Sequence, residues 1–280
     1  MPSVLITGAS RGIGRALALR LDAAGWDVYA TVRRAEDAEQ LLGDAANGKV
    51  KTLKVDVSDP EQIAALDAKL PQQLDGVVNN AGIVVGGPLE SLSAEDLRHQ
   101  MDVNVVGAVG ITNAVLPKLR VSRGRVVFVS SLSGRVSTPM TGAYNASKFA
   151  IEAIADAWRV ELAPWGVKVI LVEPAMTDTD MWRQAPATLE AETQKMSDEH
   201  RDLYAKHLAG MRKMIPRMQR MAKPVEGVAA VIERVLTASK PRARYVVGTD
   251  VRIQSAMRAF VPTRVQDSAS RLLTGIPKDA

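Results

Sequence analysis

Tyr144 and Lys148 are a pair of side chains whose types and spacing suggest proton-transfer chemistry. They are four residues apart near the start of a helical pattern, so both lie on one face of the predicted helix. A free tyrosine, with a pKa of about 10, is a weak base at neutral pH, and a nearby ammonium is expected to lower that pKa. The pair can therefore pass a proton to or from an alcohol oxygen. Taken alone, the pattern also fits an ordinary half-buried tyrosine beside a surface lysine.

A glycine-rich turn at residues 4–14 follows the first predicted strand and opens the first predicted helix. Gly8, Gly12 and Gly14 would let a phosphate approach the backbone at a helix N-terminus, where amide groups and the helix dipole favour an anion. The turn therefore predicts a dinucleotide site, and its alternative is a tight turn without a ligand. The other residues that we assign to this site are Ser10, Arg11 and Ile13.

Basic residues at the end of the second predicted strand indicate which dinucleotide binds. Arg33 and Arg34 follow residues 27–32, and Arg11 lies in the glycine-rich turn. A free ribose 2′-hydroxyl is usually held by an acid at this place, whereas a 2′-phosphate needs a cation. Guanidinium groups pair well with phosphate, so the pattern predicts NADP(H), with Arg33 as a contact. Two solvated loop charges are the alternative interpretation.

Alternating strand and helix patterns must position these residues. The predicted strands are residues 4–7, 27–32, 51–55, 76–79, 125–130, 168–172 and 244–247, and the clearest helical patterns are residues 14–24, 61–70, 94–119 and 143–163. Such alternation, with nearly continuous apolar strands, indicates a parallel sheet covered on both faces. We therefore predict an α/β fold: a single doubly wound Rossmann domain over residues 1–280, with about seven parallel strands and helices on both faces.

Taken together, these motifs resemble the short-chain dehydrogenase/reductase family. Residues 7–14 match its glycine pattern Thr-Gly-x-x-x-Gly-x-Gly, and Tyr144 and Lys148 match its Tyr-x-x-x-Lys. Its other motifs occur in order as Asn79-Asn80-Ala81-Gly82, Asn104 and Ser130-Ser131. The resemblance covers roughly residues 2–180, and within the family the chain looks most like the hydroxysteroid/retinol dehydrogenase branch.

The resemblance implies a role for each catalytic candidate. Tyr144 would exchange the proton with the substrate, and Lys148 would tune Tyr144 and hold the nicotinamide ribose hydroxyls. Ser131 would orient the substrate oxygen; Ser130 competes for this role, but the spacing of thirteen residues to the tyrosine favours Ser131. Asn104 would anchor a water that relays protons to Lys148.

The resemblance also implies cofactor contacts beyond the glycine-rich turn. Asp56, next to Val57, would bind the adenine amino group. The remaining contacts are Asn80, Ala81 and Gly82 on the adenosine-ribose side and Pro174, Thr177 and Thr179 on the nicotinamide side. The last loop departs from the family pattern, because Ala175 replaces the usual glycine and Thr177 the usual branched apolar residue.

Residues 177–223 interrupt the alternation and carry no strand signal. From residue 203 to residue 221, apolar side chains recur at helical spacing with basic residues between them, and Pro216 is expected to kink or break this helix. Methionines adapt to irregular apolar shapes, so we predict a substrate lid. Ordinary packing and a membrane-surface helix are the alternatives. A helical extension is expected over residues 249–280.

Composition limits the functional classes. The chain lacks cysteine, which excludes disulfides and thiolate metal sites, and its three histidines show no ligand spacing and are assigned to surface or packing positions, so no metal site is expected. The N-terminus does not resemble a secretory signal, and the nearly uncharged run 103–117 is too short to span a bilayer, so a cytoplasmic protein is expected. Residues 195–280 hold 17 basic and 8 acidic side chains, which we assign to a solvated surface.

These observations predict an NADP(H)-dependent enzyme that interconverts a carbonyl and an alcohol on an apolar steroid-, retinoid- or lipid-like substrate. The alternatives are a 3-oxoacyl-thioester reductase, a non-catalytic NADP(H)-binding regulator, and a nucleic-acid- or membrane-binding protein suggested by the basic C-terminal part. A homodimer or homotetramer is expected from the resemblance, through the helices near 94–119 and 143–163. No nucleic-acid partner is predicted.

Overall fold

One parallel sheet organises the chain in the computed structural model, which describes residues 1–248 and 261–276. Its strands are β1 (Ser3–Ile6), β2 (Asp27–Val32), β3 (Val50–Lys54), β4 (Gly76–Asn79), β5 (Arg125–Val129), β6 (Lys168–Pro174) and β7 (Arg244–Val247). They pair in the order β3-β2-β1-β4-β5-β6-β7. The predicted doubly wound α/β fold with seven parallel strands is confirmed.

Helices cover both faces of this sheet. They are α1 (Gly12–Ala23), α2 (Ala35–Asp44), α3 (Pro60–Ala64), α4 (Ala94–Met101), α5 (Gly107–Ser122), α6 (Gly142–Glu161), α7 (Asp180–Arg183), α8 (Ala185–Lys195), α9 (Asp198–Leu203), α10 (Ala205–Met221), α11 (Val225–Thr237) and α12 (Thr263–Thr274). Side chains of β5 alternate between the two cores, since Phe128 packs with residues of α5 and α6 while Val127 packs with residues of α1 and α11. Burial on both faces explains why central strands such as β5 and β6 are almost continuously apolar.

The order of the strands reverses at β1, because the chain builds β2 and β3 on one side of it and then returns to place β4 on the other. In open parallel sheets, ligands bind at the carboxyl ends of the strands beside such a switch point. The glycine-rich turn follows β1, and Ser130-Ser131 and Pro174 come at the ends of β5 and β6. The fold thus gathers the predicted site residues along one edge.

Two helical predictions need correction. The helix predicted over 94–119 is α4 and α5 joined by a wider π-helical segment at Asp102–Val106, and such local widening is frequent at functional sites. The pattern at 61–70 forms only the short helix α3 followed by a 3₁₀ turn at Asp67–Lys69. Helix α2 connects β2 to β3 and is not among the helical patterns predicted from the sequence.

Residues 177–223 fold into the four helices α7 to α10. Helix α10 runs through Pro216 without a break, so the predicted break there is wrong. Of the extension predicted at 249–280, residues 263–274 form α12, whereas residues 249–260 and 277–280 lie outside the described residues. No helix among the described residues is long and apolar enough to cross a bilayer.

Candidate active site

The glycine-rich turn packs backbone against backbone at the carboxyl edge of the sheet. Gly8 has a φ of +66°, and a Cβ there would lie 2.8 Å from the Cα of Ala81. A Cβ on Gly14 would lie 2.5 Å from Nδ2 of Asn80 and would also collide with the carbonyl oxygen of Gly8. Neither position therefore accepts a side chain without displacement, which explains why the turn needs glycine there.

Hydrogen bonds fasten this turn to the end of β4. The side-chain amide of Asn80 donates to the carbonyl oxygens of Thr7 and Gly8 at 3.0 and 3.1 Å. The main-chain amides of Asn80 and Ala81 both donate to Oγ1 of Thr7 at 3.0 Å. Gly82 follows, next to the carboxamide of Asn104. Two strand ends thereby form one rigid wall of a pocket.

Basic side chains lie at the end of this pocket where β2 ends. Arg11 and Arg33 line it, and the exposed Arg34 instead donates from Nε and Nη2 to Asp37, at 2.9 and 2.6 Å. Hydrogen bonding to Arg34 keeps the pKa of Asp37 below its usual range, although partial burial opposes this, and the charges of Arg11 and Arg33 add to the effect. Asp37 is thus paired, while two guanidinium groups border the pocket.

Asp56 lies on the same wall beside Val57. Its Oδ1 accepts hydrogen bonds from the main chain and the hydroxyl of Ser58 at 2.9 and 2.6 Å. Burial alone would raise its pKa, but the Ser58 hydrogen bonds and the charges of Arg33 and His99 outweigh burial and lower it. His99, which we had assigned to a surface or packing position, lines the pocket as an exposed side chain of α4. The assignment missed this because His99 is near Asp56 only through the fold.

Helix α6 presents Tyr144 and Lys148 to the pocket one turn apart. Nζ of Lys148 donates to the carbonyl oxygen of Val129 at 2.8 Å and lies 5.7 Å from the centre of the Tyr144 ring. Ser131 follows β5, and its Oγ accepts a hydrogen bond from the main-chain amide of Ser133 at 3.1 Å. The end of β5 therefore places Ser131 and anchors Lys148, and the pocket brings Ser131, Tyr144 and Lys148 together.

Burial decides the protonation of this pair. It raises the pKa of Tyr144, and the hydrogen bond with Ser131 only partly opposes it. This direction is opposite to the one expected from the ammonium of Lys148, because desolvation disfavours the phenolate. Burial also lowers the pKa of Lys148 to about 8, against the attraction of Glu152. At neutral pH the phenol keeps its proton, and most of the lysine is still charged.

Asn104 lies behind the pocket in the π-helical segment and is buried. Its Oδ1 accepts from the amide of Ile83 at 2.8 Å. Its Nδ2 donates to the carbonyl of Ile83 and to Oγ of Ser147, both at 3.0 Å. Ser147 in turn donates to the carbonyl oxygen of Tyr144 at 2.7 Å. Asn104 is thus linked through the Ser147 hydroxyl to the main chain of Tyr144.

The end of β6 and the loop after it add Pro174, Thr177 and Thr179 to the pocket lining, and Thr179 lies next to Gly12 of the glycine-rich turn. Oγ1 of Thr177 donates to the carbonyl of Ala175 at 2.9 Å, so this side chain caps its own loop. Helix α7 follows at once and adds Met181 and Trp182 to the lining.

Most predicted site residues meet in this one pocket. Those that line it are Gly8, Ser10, Arg11, Gly12, Ile13, Arg33, Asp56, Val57, Asn80, Ala81, Gly82, Ser131, Tyr144, Lys148, Pro174, Thr177 and Thr179. Gly14 and Asn104 lie behind its surface and support it. Among the lining residues that the predictions missed are Ser58, His99, Met181 and Trp182; the closeness of residues 180–182 to the end of β6 was the signal that could have found the last two.

Comparison with known proteins agrees with this geometry. A family model described as short chain dehydrogenase matches residues 2–190. Retinol dehydrogenase 16 of Mus musculus is 36% identical over 277 residues, which cover 95% of this chain and 86% of the relative. The NADPH-dependent 3-dehydrocapnine reductase of Ornithobacterium rhinotracheale is 34% identical over 280 residues, which cover 95% of each protein.

Among solved structures, a short chain dehydrogenase from Burkholderia cenocepacia J2315 in complex with NADP superimposes with a TM-score of 0.74. It is 25% identical, and the match covers 95% of this chain and 96% of that protein.

Proposed function

This chain belongs to the short-chain dehydrogenase family, and we propose that it is an NADP(H)-dependent oxidoreductase acting on CH–OH groups and the matching carbonyls. The observation that carries the proposal is the meeting of Tyr144, Ser131 and Lys148 beside the glycine-rich turn in one pocket. A proton donor, an oxygen-orienting hydroxyl and a cation at that place suit reversible alcohol–carbonyl conversion.

Residues of the turn and of β2 suit a phosphorylated dinucleotide. The two close approaches at Gly8 and Gly14 leave no room for side chains under the N-terminus of α1, where a pyrophosphate would sit. Arg11 and Arg33 border the pocket beyond it and can pair with a 2′-phosphate. A relative is named NADPH-dependent, and a related structure was solved with NADP. We therefore assign NADP(H) rather than NAD(H).

The chain's own residues would handle the proton. Bound NADPH would supply the hydride. Tyr144, whose raised pKa keeps the phenol protonated at neutral pH, would donate its proton to the substrate oxygen. Ser131 would orient that oxygen, and the ammonium of Lys148 would stabilise the phenolate left behind. Asn104, bonded through Ser147 to the main chain of Tyr144, would hold the start of α6 in register.

The substrate is proposed to be apolar and steroid-, retinoid- or lipid-like. Met181 and Trp182 of α7 line the pocket beside the loop that carries Thr177 and Thr179. Such side chains suit contact with an apolar ring or chain. The retinol and 17-beta-hydroxysteroid dehydrogenases among the relatives act, by their names, on alcohols of this class.

We propose that residues 177–223 act together as the substrate lid. The side chain of Gln219 in α10 donates to the carbonyl oxygen of Trp182 at 2.6 Å. An isolated parallel β-bridge between main-chain atoms also joins Thr177 to Lys223. The far end of α10 is thus tied to the wall beside the substrate, so a movement of α10 would move Trp182.

A homodimer or homotetramer is proposed through the helices α5 and α6. Exposed apolar side chains on or next to these helices support this, namely Val106, Val121 and Val160. Light scattering on the purified chain would give twice or four times the monomer mass; a monomer mass at micromolar concentration would reject this assembly.

The test is NADPH oxidation by the purified chain, followed by absorbance with steroid, retinoid, acyl-thioester and simple aromatic carbonyls. We expect turnover with at least one apolar carbonyl, a strong preference for NADPH over NADH, and a loss of about 10²–10⁴-fold in Tyr144→Phe. The matched control is Tyr245→Phe, outside the pocket lining. Turnover of acyl thioesters alone would favour a 3-oxoacyl-thioester reductase. Tight NADPH binding without turnover on any carbonyl would favour a regulator, and absence of nicotinamide binding would reject the proposal.

A further inference from the structure

A group of charges with two buried carboxylates begins one helical turn after Lys148 on α6. We call it the Glu152 cluster; its members are Arg135, Glu152, Asp156, Glu173 and Arg244. They come from the loop after β5, from α6, from β6 and from β7. The side chain of Glu173 is 0% exposed and that of Glu152 is 10% exposed. Two carboxylates this deep need partners, because a lone buried charge is costly.

Arg244 is shared among three acids. Its Nη2 lies 3.1 Å from Glu152 and 2.8 Å from Asp156, and its Nε lies 3.3 Å from Glu173. Glu173 has a second cation in Arg135, whose Nε is 2.6 Å from Oε2. Asp156 pairs also with Arg159, at the more exposed end. Among these three acids, Glu152 is the one that pairs with Arg244 and with no second arginine in the described residues. Its charge is therefore the least compensated of the three.

The cluster touches the catalytic loop. A Cβ at Gly134 would lie 2.8 Å from Oγ of Ser130 and 3.0 Å from Cγ of Glu152. The loop that begins with Ser131 thus packs directly on the Glu152 side chain. Lys148 is one helical turn before Glu152, so both residues lie on the same face of α6, where the ammonium of Lys148 donates to the carbonyl of Val129. Glu152 therefore lies between Lys148, the Ser131 loop and the arginines.

We propose that Glu152 is a positioning residue that keeps the buried ammonium of Lys148 charged at neutral pH, and that it does so because Arg244 is divided among three acids. Its carboxylate opposes the burial that lowers the pKa of Lys148 to about 8. Burial raises the pKa of Glu152, Ser130 and Arg244 oppose this, and the neighbouring Glu173 adds to the rise. The cluster would thus set the pH at which Tyr144 loses the support of a charged lysine.

The inference rests on the proposed function, but its first test does not need turnover. Competitive acetylation of the full-length protein with acetic anhydride over a pH series, followed by mass spectrometry of the Lys148 peptide, gives the titration midpoint of Lys148. We expect Glu152→Gln to lower that midpoint by about one pH unit, since a partly buried opposite charge shifts a pKa by about that much. The matched control, Asp156→Asn, removes a carboxylate bound to the same Arg244 on the same helix, and we expect it to leave the midpoint within about 0.3 unit.

Activity supplies the second test. In Glu152→Gln, the alkaline limb of the pH profile for NADPH-dependent reduction should move to lower pH by the same amount, with the rate near pH 6 reduced less than about threefold. Glu152→Asp keeps the negative charge, so the alkaline limb should lie close to its position in the unchanged protein. A purely structural role would lower the melting temperature without moving either midpoint.

If Glu152→Gln does not fold, the double variant Glu152→Gln/Arg244→Gln removes an anion and a cation together, and the Lys148 midpoint should fall there too. An unchanged Lys148 midpoint in the folded variant overturns the inference. A shifted midpoint in a protein that turns over no carbonyl would leave the inference standing and reject the proposed function.

Discussion

The glycine-rich turn and the segment 177–223 line the same pocket and are held by different forces. The turn is fastened by hydrogen bonds between main-chain atoms and polar side chains such as the buried Thr7 and the half-buried Asn80. The segment instead carries exposed ion pairs, such as Arg183–Asp178 and Arg212–Glu190. Exposed pairs contribute about 0–1 kcal/mol each, whereas leaving a buried polar group unpaired costs about 1–3 kcal/mol.

This difference indicates a division of labour. A wall built from main-chain contacts tolerates little change, which suits a cofactor of constant shape. The segment packs on a small apolar cluster formed by Met140, Met196 and Leu208, and methionine adapts to varied shapes. Such a surface can change with the substrate at little cost to the fold.

The largest effect is expected on the rigid wall. Gly14→Ala places a Cβ against the Gly8 carbonyl and Asn80, so the turn must open, and we expect NADPH affinity to fall by about 100-fold or more. Fluorescence titration of NADPH measures it. The control is Gly43→Ala in α2, where a Cβ meets nothing within 4 Å and should leave affinity unchanged. Equal affinities in the two variants would show that the wall is not rigid.

An intermediate effect is expected where the pocket carries charge. Arg33→Ser removes a guanidinium from the lining, and we expect KM for NADPH to rise about 10- to 100-fold while KM for NADH changes little. Arg34→Ser is the matched control, because Arg34 is bonded to Asp37. Steady-state kinetics with NADPH and with NADH would measure KM for each cofactor in both variants. A larger rise in KM for NADPH in Arg34→Ser than in Arg33→Ser would place the 2′-phosphate on Arg34.

The smallest effect is expected in the segment. Trp182→Ala removes an apolar wall of the pocket and should raise KM for the apolar substrate about tenfold, with NADPH affinity unchanged. Leu203→Ser, at a side chain of the same segment that is 58% exposed, should change neither constant. If Trp182→Ala weakened NADPH binding as much as Gly14→Ala does, cofactor binding could not be assigned to the turn and substrate binding to the segment.

Local patterns were sufficient for most of the fold and for much of the site. Continuous apolar runs flanked by turn residues marked the central strands such as β5 and β6, because strands buried on both faces leave no other composition. The glycine-rich turn and the Tyr144–Lys148 pair were visible because each function needs residues close in sequence. Helix boundaries were less certain: the π-helical widening at Asp102–Val106 places Asn104 toward Ile83 and Ser147, and no periodicity signals it.

The sequence by itself determined the α/β order of elements, the position of the glycine-rich turn and the placement of Tyr144 and Lys148 one helical turn apart, since all of these depend on spacings within one or two elements. The tertiary structure alone decided the direction in which each pKa of that pair is shifted, because burial raises the pKa of Tyr144 and lowers that of Lys148 against the attraction of Glu152. It also decided that His99 and Trp182 border the pocket. Electrostatic and packing terms depend on distances through space, and a chain reveals those distances only after it has folded.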